Sequence, residues 1–113
     1  MAVWSVYRST VEEKRQHART PINAHVTYVV TGEEQSYDGI AKDISMGGVF
    51  IEGDHVPAFG TKVTVRGRLP GDSHEVELPG VVRWAHPGGF GVQFGLLGAR
   101  ETHSIAGLLH ARR

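Results

Sequence analysis

Two short stretches hold the side chains best suited to gripping a polar, anionic ligand. The first is Lys14-Arg15-Gln16-His17-Ala18-Arg19, whose arginines stand four residues apart. On a helix they share a face, and on an extended chain they lie about 13 Å apart and bracket a ligand between them. Arginine's planar fork donates paired hydrogen bonds to phosphate oxygens or to guanine O6 and N7, and it stacks on a base. The same basic cluster also suits a solvated face that binds nothing. The second stretch is Asp43-Ile44-Ser45-Met46-Gly47-Gly48. In extended geometry Asp43 and Ser45 leave one face of a sheet. A carboxylate accepts hydrogen bonds from a guanine's ring N–H and amino group, while a serine hydroxyl both donates and accepts. Gly47 and Gly48 are able to adopt positive φ and leave space for a ligand against the backbone. An ordinary turn in which Asp43 or Ser45 bonds its own backbone fits these residues equally well.

The elements that must position these groups are mostly strands. Trp4, Tyr7 and Val11 stand at helical spacing before a polar and basic run, so residues 1–20 read as a weak helix leading into a basic arm. Pro21 disfavours the α conformation at Thr20, and beyond it Ile22, Ala24, Val26, Tyr28 and Val30 alternate with polar residues. That is a half-buried first strand. A turn at Thr31-Gly32 precedes a second strand over Ser36 to Asp43, with Tyr37 and Ile40 as expected core contacts. Further β-rich runs at 49–51, 62–69, 75–85 and 90–94 are separated by Gly47-Gly48, Pro57, Gly60, Pro70-Gly71 and Gly88-Gly89. Six short strands predict an all-β, closed or nearly closed antiparallel barrel, because closure removes exposed edges. After Gly98 the period changes: Ile105, Leu108 and Leu109 form one face of a short C-terminal helix that caps the barrel, with Glu101 in its first turn and Arg112-Arg113 at its end.

Length and charge narrow the function. A chain of 113 residues holds one core, read as an arm at 1–20 and a barrel with its helix at 21–113. Twelve Lys and Arg balance twelve Asp and Glu, so an anion site must be local and nucleic acid is an unlikely ligand, a reading that Glu75-Val76-Glu77 on a strand reinforces. The absence of cysteine removes disulfides, thiolate metal sites and cysteine nucleophiles. The seven histidines lack the short paired spacing of a metal site, and no nucleophile elbow or phosphate-binding loop occurs. Trp4 and Trp84 read as core or rim packing. Neither a signal-peptide core nor a membrane-length apolar run is present, so a cytoplasmic protein without membrane insertion is expected.

An Arg-x-x-x-Arg arm before the first strand, Arg15 to Arg19, followed by Asp-x-Ser-x-x-Gly after the second, Asp43 to Gly48, resembles the two-part signature of PilZ domains. The stretches Gly47-Gly48-Val49-Phe50-Ile51, Gly80-Val81-Val82-Arg83-Trp84 and Gly89-Phe90-Gly91-Val92-Gln93-Phe94 are similar to that family too, so the resemblance covers nearly the whole chain. It implies a six-stranded barrel with a helix across one end, binding the bacterial second messenger cyclic-di-GMP between arm and turn. By that match Arg15 and Arg19 contact guanine and phosphate, Asp43 and Ser45 meet a guanine edge, and Gly48 allows close approach, with Gly47 beside it in the ligand-binding set. Lys14 occupies the position just before the first arginine, where family members differ between binding one ligand or two stacked ones, and its charge points to an intercalated ligand pair. The expected protein is a standalone receptor or adaptor, without cofactor or catalysis, whose flexible arm closes over the ligand and signals to an unidentified downstream protein. The alternative is a ligand-independent PilZ-like interaction module.

Overall fold

The computed structural model describes residues 19–111. The expected arm and helix at 1–20 therefore fall almost wholly outside the described residues, as do Lys14, Arg15 and Arg112-Arg113. Alternation after Pro21 produces the first strand, β1 (Thr20–Val30), in which Ile22, Val26 and Tyr28 are buried while Pro21, Asn23 and His25 are exposed. A turn with Gly32 at φ 93° leads into β2 (Ser36–Ile44), and β3 (Gly48–Glu52) follows after a tight turn. The remaining strands are β4 (Lys62–Arg68), β5 (Glu75–His86) and β6 (Gly89–Phe94). Each strand pairs antiparallel in the order β1-β2-β3-β6-β5-β4, and β4 returns to β1, so the sheet closes into a barrel. Closure pairs every ladder and leaves no edge.

The interior is filled by one inward residue in two from each strand, including Val26, Tyr28, Ile51, Val63, Val65, Val76, Leu78, Val82, Phe90 and Val92. The helix α1 (Ala99–Ala111) carries Glu101 in its first turn and buries Ile105 and Leu108 in the same core, as its periodicity predicts. Ile40 does not meet the expectation of a core contact. Tyr37, Gly39 and Ala41 take the inward positions of β2, so Ile40, of opposite parity, stands on the outer wall and is 37% exposed. Tyr28 spans the interior, and its hydroxyl donates to the carbonyl of His55 beyond β3. The His55 ring lies parallel on Tyr37 at 3.8 Å. Burial pushes the Tyr28 phenol above its ordinary pKa, reinforced by the Asp54 carboxylate. No helix among the described residues is long and apolar enough to cross a membrane.

Candidate functional site

Asp43 reaches the outer wall because β2 breaks its own alternation. Gly39 and Ala41 are buried, and strict period two would send Asp43 in after them. Between Ala41 and Asp43 the register with β3 slips by one, so Lys42 is an extra residue, Asp43 turns outward and Ile44 turns in at 0% exposure. Across on β1, Pro21 is the register partner of Asp43. That pairing brings the start of the strand alongside, and Arg19 Nη1 donates to Asp43 Oδ1 at 2.5 Å. The two side chains are 43% and 29% exposed, so the pair is open to water and to a ligand. An ion pair this solvated contributes only about 0–1 kcal/mol.

Ser45 is placed differently from its sequence expectation. The strand ends at Ile44, so Asp43 and Ser45 do not form an outward-facing pair; Ser45 is 4% exposed and spends its polar groups on the turn. Its N–H donates to the Gly48 carbonyl at 2.8 Å. Its Oγ accepts from the N–H groups of Gly47 at 3.1 Å and Gly48 at 3.2 Å. The turn is also fixed to β6, since the Phe94 N–H donates to the Gly47 carbonyl at 2.9 Å. Neither glycine has positive φ; among the described residues the positive-φ glycines are Gly32, Gly60, Gly71 and Gly88. Gly48 is required for another reason: a Cβ there would overlap the Val92 carbonyl oxygen, so the missing side chain lets β6 approach. Asp43, Ser45, Gly47 and Gly48 thus lie together with Arg19, as one ion pair above a rigid turn.

Three aromatic side chains that the motifs did not single out complete this wall. Counting outward from the turn, Asp43 sits opposite Phe50, Phe50 opposite Gly91, and Gly91 opposite Trp84, so one register row runs from β1 round to β5. Trp84 is outward because β5 also slips, between Val82 and Trp84, after the regularly buried Val76, Leu78, Gly80 and Val82. Of the two sequence expectations for Trp84, core or rim packing, the structure gives the second: a half-buried place on the outer wall. Phe50 leans over Gly89, which has no Cβ to obstruct it, and meets Trp84 at 5.3 Å between ring centroids. His86 stacks on Phe50 at 5.9 Å and stands edge-on to Trp84 at 4.5 Å. The Pro87 carbonyl is only an acceptor, so the 2.7 Å contact places the proton of His86 on Nδ1. A carboxylate and two rings in one row, with the Arg19 guanidinium and the His86 ring beside it, suit a planar, hydrogen-bonding, anionic molecule such as a purine nucleotide. Among the described residues, no group of three or more His, Cys, Asp or Glu is arranged to hold a metal ion.

Comparison with known proteins agrees with this architecture. The family model for the PilZ domain matches residues 13–110. The PilZ domain of CeSA from a cellulose synthesizing bacterium superposes with a TM-score of 0.67 at 24% identity, covering 82% of this chain and 95% of that one. The Bacillus subtilis inhibitor of motility, MotI/DgrA, superposes with a TM-score of 0.67 at 22% identity over 88% of this chain and 53% of its own, so the present chain spans about half of that protein. At these identities the likeness is one of fold. No curated protein matches the chain.

Proposed function

We propose that this chain, which belongs to the PilZ domain family, is a cytoplasmic receptor for cyclic-di-GMP that passes its signal to a downstream protein and catalyses nothing. The observation that carries the reading is the outward Arg19–Asp43 pair, whose carboxylate stands in the same register row as Phe50 and Trp84. On binding, Arg19 leaves Asp43 for a phosphate or for guanine O6 and N7, and Asp43 accepts from the guanine ring N–H and amino group. Ser45, Gly47 and Gly48 hold the turn beneath the ligand. Lys14 and Arg15, outside the described residues, supply the other cations of the site, and Lys14 favours two stacked ligand molecules over one.

The test is calorimetric titration of the full chain with cyclic-di-GMP, with GMP as control, alongside thermal unfolding. The parent is expected to bind and to gain stability with ligand, and to bind more weakly as salt rises. Arg19→Ala is expected to weaken binding about 10- to 100-fold, the loss of one or more charge-assisted hydrogen bonds. Equal stabilisation of parent and variant by ligand would remove Arg19 from the site.

One observation favours a second reading, a ligand-independent interaction module. Arg19 and Asp43 already satisfy each other, and the Ser45 hydroxyl is engaged within its own turn. A parent chain that gives no heat with cyclic-di-GMP would select it.

A further inference from the structure

On β2 and again on β5, one extra residue reverses the alternation just before a residue of the candidate row. Lys42 precedes Asp43, and Arg83 precedes Trp84. Both extra residues are basic, and each is tied across the sheet to a side-chain amide. Lys42 Nζ donates to Asn23 Oδ1 at 3.0 Å, and Arg83 Nε donates to Gln93 Oε1 at 2.9 Å. Because ammonium and guanidinium groups only donate, the amide oxygen is the acceptor in both pairs. Asn23 also adopts φ 61°, the left-handed region that asparagine tolerates better than most residues, at the step where β1 slips between Pro21 and Ala24.

We propose that Asn23 and Gln93 are positioning residues of the ligand site: each anchors a bulged cation, and the anchored bulge holds the following side chain, Asp43 or Trp84, on the outer wall. The inference rests on the cyclic-di-GMP reading for its consequence in affinity, and on the two bulges for its geometry. Without its bulge, Asp43 would follow Gly39 and Ala41 towards the core, where an unpaired carboxylate is strongly disfavoured. Trp84 would likewise follow Val82. A one-residue slip exchanges the two faces of a strand, so a small energy that selects the bulge has a large effect on which side chains the ligand meets. Global stability depends little on such exposed hydrogen bonds, whereas the direction of Asp43 and Trp84 depends on them directly.

The experiment uses the full chain with Asn23→Leu and Gln93→Met, which remove the acceptors, and Asn23→Asp and Gln93→Glu, which keep them. Calorimetry with cyclic-di-GMP is expected to show about tenfold weaker binding for the first two, the scale of one lost hydrogen bond. The acidic variants are expected to stay within about twofold of the parent, because the acceptor that holds the bulge is retained. Independently of ligand, NMR is expected to show faster solvent exchange of the Arg19 guanidinium protons in Asn23→Leu and a displaced Trp84 indole N–H resonance in Gln93→Met. If Asn23→Leu fails to fold, Asn23→Gly, which accepts positive φ but offers no acceptor, takes its place. Unchanged Arg19 and Trp84 signals in the acceptor-free variants would overturn the proposal, as would equal losses of affinity in the acidic ones. A parent that does not bind cyclic-di-GMP would instead remove the ligand reading, and the NMR signals would still decide the positioning roles.

Discussion

The two parts of β5, before and after its slip at Arg83, serve different ends. From Glu75 to Val82 the strand alternates without interruption, burying Val76, Leu78, Gly80 and Val82, and as far as Val81 it is paired to β4. Its pairing with β6, which begins at Gly80, slips at Arg83, and beyond Val82 the strand sends a large aromatic side chain outward to Phe50 and His86. Regular alternation puts the inward side chains of the first part, Val76, Leu78 and Val82, to work holding the barrel shut. The break gives up part of that burial in the second half and gains a displayed ring. β2 repeats the contrast, with Gly39 and Ala41 inward before the slip and Asp43 outward after it. In this barrel the core is where the period holds, and the candidate site is where it fails.

The strongest way to sharpen that contrast is to cut into the regular half. Leu78 is 3% exposed, and Leu78→Ala is expected to lower the unfolding free energy by about 2–5 kcal/mol in urea denaturation. The fraction that remains folded should bind cyclic-di-GMP with parental affinity. The opposite profile is expected on the other side of the slip. Trp84→Ala should weaken binding roughly 5- to 150-fold, since base–aromatic stacking is worth about 1–3 kcal/mol. Its effect on unfolding should be about 1 kcal/mol, from ring contacts on a half-buried wall. If Leu78→Ala damaged affinity as much as Trp84→Ala did, the division of β5 into a structural and a displaying half would break.

How far this was legible in the sequence follows from the same division. Alternation after Pro21 located β1, β-rich runs between glycine and proline turns located the other five strands, and the change of period after Gly98 located the helix with Ile105 and Leu108 inward. Ile40 was misread because its hydrophobicity was weighed ahead of its parity with Tyr37. The bulges were illegible, since one extra residue leaves no mark in composition. Without them the faces of Asp43, Ser45 and Trp84 cannot be assigned from spacing. Gly48 carried a signal whose cause lay elsewhere in the chain: the constraint is the Val92 carbonyl on β6, not a local turn. Phe50 was within reach, because counting back from the turn at 45–48 puts it opposite Asp43, but its partner Trp84 becomes visible only once the barrel closes.

The smallest expected effect belongs to the regular interior and tests whether it is as dry as its packing implies. Tyr28 is 1% exposed, and burial, aided by Asp54, raises its pKa above the ordinary 10.0. Below pH 10 the phenol is neutral in both folded and unfolded chains, so its contribution to stability is fully present. Above pH 10 the unfolded phenol ionises while the folded one keeps its proton, so stability falls as pH rises and the loss is complete above the folded value. Tyr28→Phe removes the titrating group together with the bond to the His55 carbonyl, at a cost of about 1 kcal/mol near neutral pH. Urea midpoints at pH 8 and 10.5 should therefore decline more steeply for the parent than for Tyr28→Phe, and the gap between them should narrow. Parallel declines would mean that the hydroxyl ionises as freely in the folded barrel as in the unfolded chain, placing water inside the core.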